Sequence, residues 1–158
     1  MAARLEPFYP QLVELPAVTI EEFDPLLEEE IRTWRQSFDW DFRPSAELLR
    51  RFLQIRSLNG YALRVDRRLI GYAYHVCEGR KGLIGDFYLL REFAEPPNEL
   101  MLLGAIVQGL MLAPGIQRIE CQLLLMHIAG NQTFPFQQSL KRYDRYFMRI
   151  PQIGRAHV

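Results

Sequence analysis

The chain has 158 residues, of which 49% are hydrophobic and 12% aromatic, which is enough for one sizeable core and predicts a single domain over residues 1–158. Nineteen basic residues balance nineteen acidic ones, so no net charge favours nucleic acid, an anionic membrane or another polyanion. We therefore expect no nucleic-acid partner.

The N-terminal stretch has no long apolar run and is not a signal peptide, which favours a cytoplasmic protein. Cys77 and Cys121 each lie in a strand-like apolar run and are expected to be buried free thiols. The histidines at positions 75, 127 and 157 lie too far apart in sequence for a structural zinc site, so we expect no metal.

The first half of the chain predicts one strand and two helices. Leu12 to Phe23 has strand character interrupted near Pro16, and Asp24 before Pro25 is typical of a helix start, giving a helix to about Gln36. A second helix starts at about Pro44 to Ser45 and ends before Asn59-Gly60. Its predicted apolar stripe consists of Leu48, Leu49, Phe52 and Ile55.

The second half changes to the period of strands. The apolar pattern predicts an antiparallel meander over 61–65, 69–77 and 83–90, a helix over 99–112, a strand over 118–126, a weak helical segment over 132–140 and a last strand over 143–150. The stretch from 100 to 116 contains Gln108 and Pro114 and is shorter than the roughly 20 apolar residues of a membrane span. We expect a buried helix there, which makes 83–126 a βαβ crossover with parallel strands.

This order of elements resembles the GNAT superfamily of acyl-CoA N-acyltransferases, over about Ala17 to Ile150. RLIGYAYHV is similar to the third strand of the family, IGDFYLLREF to its fourth strand and the following turn, and GNQTFPFQQSLKRYDRYFMRI to its closing segment. The resemblance implies an α/β (α+β) fold: a mixed, mostly antiparallel sheet with a splayed parallel strand pair and helices on both faces.

The resemblance also implies a cofactor and a reaction. The protein would move an acetyl group from acetyl-CoA to an amine of a small molecule or peptide. The pantetheine arm would lie along the fourth strand, and the diphosphate would lie at the start of the next helix near Arg91 and Asn98. The strand residues that this places on the cofactor are Phe87, Tyr88, Leu89 and Leu90.

The loop that would bind the diphosphate departs from the family pattern. Family members use glycines there, whereas residues 91–100 contain none. Pro96 and Pro97 each lack an amide donor, and Glu95 and Glu99 place negative charge where a phosphate would approach. This favours an alternative: a GNAT-like binding or regulatory module without catalysis.

Transfer needs a base for the amine and an acid for the leaving thiolate. Asp86 is the predicted base, with Glu78 and His75 in reserve, and all three also fit ordinary structural roles. Gln137 stands where the family commonly has the tyrosine that acts as acid, so Tyr143 is the predicted acid, with Tyr146 as the alternative. Ordinary packing in a strand is the commoner role of such tyrosines.

Phe38, Trp40 and Phe42 lie between the first two helices, where related enzymes admit the acceptor. They predict an aromatic wall for the acceptor or, equally, a seal over the core. The missing final strand of the family leaves a sheet edge that a second copy could cover, which predicts a homodimer. The missing strand is also compatible with the chain being a fragment of a longer enzyme.

Overall fold

The computed structural model describes residues 9–127, 136–143 and 148. Its regular elements in chain order are β1 (Gln11–Glu14), α1 (Ile20–Phe38), α2 (Arg43–Gln54), β2 (Asn59–Val65), β3 (Arg68–Glu78), β4 (Lys81–Leu89), α3 (Pro96–Leu112) and β5 (Arg118–Cys121). Short 3-10 turns cover Leu15–Ala17, Arg91–Phe93 and Gln137–Ser139. The predicted last strand lies mostly outside the described residues.

The five strands form one sheet in the order β1-β2-β3-β4-β5. The first three pairings are antiparallel and the β4–β5 pairing is parallel, which confirms the predicted mixed sheet and the βαβ crossover. One core lies between the sheet and helices α1 and α2, and a second lies between the sheet and α3. Successive residues of β3 and β4 alternate between these cores: Tyr72 and Tyr88 belong to the first, Ala73 and Phe87 to the second.

Helix α1 begins five residues earlier than the sequence predicted. Thr19 and Glu22 form a capping box, in which the Glu22 amide donates to Thr19 Oγ1 at 3.2 Å and the Thr19 amide donates to Glu22 Oε2 at 3.0 Å. The strand prediction to Phe23 was therefore wrong, because pairing with β2 ends at Glu14. Pro25 lies inside the helix, where only the bond to the Glu21 carbonyl is lost.

Helix α2 buries a different stripe from the predicted one. Ala46, Leu49 and Leu53 face the core, whereas Leu48, Phe52 and Ile55 are exposed. Both stripes follow helical spacing and both include Leu49, so the apolar periodicity alone could not show which of them faces the core.

Two further expectations were wrong. Cys77 and Cys121 are exposed rather than buried, and each lies at or next to the end of its strand. Strand β5 is shorter than predicted and ends at Cys121 instead of 126. Among the described residues, no helix is both long enough and apolar enough to cross a membrane.

Candidate functional site

Strands β4 and β5 separate halfway along β4. Their parallel pairing runs from Lys81 opposite Arg118 to Ile84 opposite Cys121, whereas β4 continues to Leu89. At the point of separation the register between β3 and β4 shifts, which makes Gly85 the extra residue of a β-bulge. A bulge bends and twists its strand. The second half of β4 therefore has an open side towards β5.

The amides of β4 alternate between β3 and this open side. The Leu90 amide donates to the Ile70 carbonyl at 2.8 Å, so the amides of Tyr88 and Asp86 also point to β3. Those of Phe87 and Leu89 point to the opening. Of the four strand residues predicted to bind the cofactor, these two present their amides to it.

A pocket of about 270 Å³ lies beside this open edge. Helix α1 contributes Thr33, Ser37 and Phe38, the end of β4 contributes Tyr88, Leu89 and Arg91, and the segment after β5 contributes residues 124–127. The structure thus brings three predicted cofactor residues together with Phe38 from the predicted acceptor wall.

Hydrogen bonds at the top of the pocket connect β4 to α1. Glu29 Oε1 accepts the Tyr88 hydroxyl and the Arg91 amide, each at 2.8 Å. The Arg91 guanidinium donates to Gln36 Oε1 at 2.6 Å, and Thr33 Oγ1 lies 2.9 Å from the Tyr88 hydroxyl. Burial raises the pKa of Tyr88, so its hydroxyl remains a donor. Arg91 therefore belongs to the pocket lining, and the Glu29 carboxyl group contacts two of the lining residues.

The start of α3 provides few donors for an anion. Pro96 and Pro97 occupy the first two helical positions after the N-cap Glu95. The side chain of Asn98 donates to the Phe93 carbonyl at 2.9 Å, so it is already bound within the chain. These features fit poorly to a diphosphate at this helix end.

Glu99 connects the start of α3 to the far wall of the pocket. Its side chain is 1% exposed, and both its oxygens accept the His127 amide at 3.1 Å. His127 Nδ1 lies 3.4 Å from Oε1. The wall formed by residues 124–127 is thus held by one buried carboxylate, a role that the sequence did not suggest.

The predicted base Asp86 is part of a buried network. Its Oδ1 accepts the Phe87 amide at 2.8 Å, and its Oδ2 lies 2.7 Å from the Tyr72 hydroxyl oxygen. The same hydroxyl oxygen lies 2.6 Å from Glu30 Oε2, and Trp34 Nε1 donates to Glu30 Oε1 at 3.2 Å. Glu30 is 0% exposed and Asp86 is 9% exposed. Burial and the charge of Asp86 raise the pKa of Glu30 well above its usual value.

Sequence reasoning missed Glu30 and Tyr72. A signal for Glu30 was present, since it continues the buried stripe of Phe23, Leu26 and Leu27 at helical spacing. Tyr72 carried no such signal, because its meeting with both carboxyls depends on the pairing of β3 with β4 and on the packing of α1.

The reserve bases lie away from Asp86. His75 follows Tyr74 on β3 and therefore points to the opposite face of the sheet from Tyr74 and Asp86. Its Nδ1 is buried without a hydrogen-bond partner among the described residues, and burial lowers the pKa of His75. Glu78 is exposed at the far end of β3.

The predicted acid Tyr143 is 76% exposed and does not line the pocket. Tyr146 lies outside the described residues. Gln137 begins the short 3-10 turn Gln137–Ser139. The role of Tyr143 as the acid therefore stays a prediction.

The three aromatic residues of the predicted wall have different environments. Phe42 is 7% exposed and stacks on Trp34 with centroids 5.6 Å apart, so it seals the core. Phe38 lines the pocket. Trp40 is 52% exposed and lines a separate cleft of about 300 Å³, in which Arg43 forms an ion pair with Asp41 at 2.8 Å.

Several solved structures with similar folds are named as acetyltransferases. PaiA N-acetyltransferase from Thermoplasma acidophilum, in complex with coenzyme A, matches with a TM-score of 0.57 and 19% identity over 72% of this chain and 78% of its own. A predicted acetyltransferase with acetyl-CoA from Clostridium acetobutylicum matches with a TM-score of 0.54 and 13% identity over 75% and 84%. An aminoglycoside acetyltransferase from an uncultured soil metagenomic sample, in complex with sisomicin, matches with a TM-score of 0.50 and 13% identity over 72% and 76%.

No family model and no curated protein matches this sequence. At these identities the likeness shows the fold, and the fold is the one that the sequence predicted.

Proposed function

We propose that this chain, which has the GNAT fold, is an N-acetyltransferase that moves an acetyl group from acetyl-CoA to an amine. One observation carries the proposal: β4 runs past its last partner in β5, with the amides of Phe87 and Leu89 directed to an opening beside a pocket. Related folds crystallised with coenzyme A and acetyl-CoA support this choice of cofactor.

The pantetheine arm fits the open edge of β4. It carries two amide groups, and an exposed strand edge binds such groups as it would bind another strand. The Leu89 amide would bind it, with the Tyr88 side chain and Leu90 packed behind the strand, whereas the Phe87 amide is bound by Asp86 Oδ1. Arg91 would turn from Gln36 to a phosphate, and Asn98 would have to release the Phe93 carbonyl.

When bound, acetyl-CoA supplies an activated thioester. Asp86 would take the proton of the acceptor amine as the nitrogen forms the new C–N bond. A protonated Asp86 would accept the Phe87 amide less strongly, so that this amide could donate to the carbonyl oxygen of the thioester. Tyr143 would protonate the thiolate as the C–S bond breaks, which requires it to move from its exposed position outside the pocket. Phe38 and Trp40 remain the predicted contacts of the acceptor, with Phe42 holding them from the core side.

The start of α3 favours a second candidate, a binding or regulatory module without catalysis. Little is left there to hold a diphosphate, because the two prolines lack amide donors and Glu95 and Glu99 are acidic. Such a module would use the same opening for another extended ligand, for example a peptide. The predicted homodimer is compatible with both candidates.

Calorimetry with acetyl-CoA tests the proposal, and a steric variant makes the test specific to this pocket. Ser37→Trp places a large ring in the pocket from an exposed position of α1, so the fold should survive while binding weakens at least about tenfold. Ser45→Trp, at an exposed position of α2, is the matched control and should bind like the parent.

Thiol release in the presence of an amine panel, including aminoglycosides, then separates the two candidates. Binding with release supports the enzyme, and binding without release supports the module. If acetyl-CoA does not bind at millimolar concentration, the acetyltransferase proposal is wrong.

A further inference from the structure

A single hydrogen lies between two buried carboxyls. The Tyr72 hydroxyl oxygen is 2.6 Å from Glu30 Oε2 and 2.7 Å from Asp86 Oδ2, and a hydroxyl can donate to only one of them. If both carboxyls were ionised, one would face the tyrosine oxygen with no hydrogen between them, with Glu30 fully buried and Asp86 only 9% exposed. That arrangement is strongly unfavourable. One carboxyl must therefore carry a proton and donate it to the tyrosine.

The contacts place this proton on Glu30. Asp86 is the more exposed of the two, and its other oxygen accepts a backbone amide at 2.8 Å, which stabilises its ionised form. Glu30 is fully buried, and its other oxygen accepts only Trp34 Nε1 at the longer distance of 3.2 Å. With the proton on Glu30 Oε2, every donor of this network has one acceptor and the negative charge lies at the better-solvated end.

Within the described part of the chain, the groups around Glu30 do not supply a compensating cation. From α1, Glu29 faces Tyr88 and Arg91, and the arginines that pair with α1, Arg50 and Arg64, bind Asp24, Glu28 and Glu22 instead of Glu30. Tyr74 of β3 and Tyr88 of β4 are the other titratable groups nearby. Burial raises the pKa of both, so neither brings a charge.

We propose that Glu30 holds a proton in the folded protein and, by donating it to the Tyr72 hydroxyl, keeps Asp86 ionised and fixed against the Phe87 amide. Glu30 is thus a positioning residue: it acts on the open half of β4 through Tyr72 and touches no substrate. The effect of Glu30 on catalysis rests on the proposed function, in which Asp86 is the base. The protonation of Glu30 does not depend on that function.

Carboxyl-carbon NMR on the full chain, labelled in the glutamate side-chain carboxyls, tests the stored proton without any assay of activity. At neutral pH one glutamate signal is expected at the position of a protonated acid, and Glu30→Gln should remove it. The inference is overturned if all glutamate signals are those of carboxylates, or if the protonated signal persists in the variant.

Kinetics test the positioning role. Glu30→Ala should lower kcat/KM at least about tenfold, and Glu30→Gln should restore most of it, because a neutral amide also donates to Tyr72. Tyr72→Phe removes only one oxygen and should also lower kcat/KM, because the link from Glu30 to Asp86 is lost. Failure of Gln to rescue, or an unchanged kcat/KM in Tyr72→Phe, contradicts the role.

The NMR test and the kinetic test can fail independently of each other. A parent protein without transferase activity would contradict the proposed function and leave the NMR result to decide the stored proton. An active enzyme whose Glu30 is ionised would contradict the inference alone.

Discussion

The ring of Tyr74 covers the α-carbon of Gly85, the residue at which β4 bulges and leaves β5. A Cβ built on Gly85 would lie 2.5 Å from the Tyr74 hydroxyl oxygen and still closer to ring carbons. Because Tyr74 lies opposite Asp86 across the β3–β4 pairing, this contact fixes the ring beside the predicted base. The shape of the opening thus depends on a position that has no side chain.

Gly85→Ala should destabilise the protein by about 1–3 kcal/mol, because the ring or the strand must move to admit the methyl group. Urea unfolding measures the change. In a Tyr74→Ala background the same substitution should cost much less. An equal cost in both backgrounds would show that the ring is not the obstacle.

Glu30 should make stability fall as pH rises. Its pKa in the folded protein is raised well above the unfolded value of 4.5, so above pH 4.5 the folded state holds a proton that the unfolded state has lost. The stabilisation is complete below the unfolded pKa and is lost as pH rises through the folded one. Relative to Glu30→Gln, the parent should lose up to about 1.4 kcal/mol per pH unit in that window.

Glu22 provides a control of opposite sign. Its hydrogen bond from the Thr19 amide, together with the charge of Arg64, lowers the pKa of Glu22, so its stabilisation is present above the unfolded pKa and lost as pH falls through the folded one. Chemical unfolding across a pH series should show Glu22→Gln and Glu30→Gln diverging from the parent in opposite directions. Parallel curves for Glu30→Gln and the parent would contradict the raised pKa.

The sequence was sufficient for the order of the elements and for the parallel β4–β5 pair, since both follow from apolar periodicity and connection length. The sequence also contained two patterns that indicate the structure but did not enter the prediction. Thr19 followed by Glu22 is the pattern of a capping box, but the more conspicuous Asp24-Pro25 pair led to a later helix start. Glu30 stands on an apolar stripe, where a carboxyl has to be neutral or paired.

Other features of the site could not be derived from local patterns. The bulge at Gly85 depends on the register between two strands, and the bridging position of Tyr72 depends on three elements at once. The alternating residues of 118–126 predicted a long strand, yet pairing ends at Cys121, because the bulged β4 no longer lies alongside.

Glu99 should be required for the far wall of the pocket. Glu99→Ala leaves the part-buried His127 amide without its acceptor and should cost about 1 kcal/mol, whereas Glu99→Gln keeps an acceptor oxygen and should cost less. Hydrogen exchange provides the local measurement: the His127 amide should lose protection in the alanine variant and retain most of it in the glutamine variant. Equal protection of the His127 amide in the two variants would show that the Glu99 side chain is not its acceptor.

The prolines at the start of α3 allow a gain-of-function test of the cofactor's orientation. Pro97→Ala restores an amide donor at the second position of α3, where a helix end attracts anions. If the diphosphate of acetyl-CoA lies there, the new donor should tighten binding about three- to tenfold, measured by calorimetry. Pro44→Ala is the matched control, since Pro44 occupies the second position of α2, away from the pocket. A gain in the Pro97 variant alone places the phosphates at the start of α3. The same affinity in both variants means that the phosphates lie elsewhere, for which Arg91 in the pocket lining offers a cationic group.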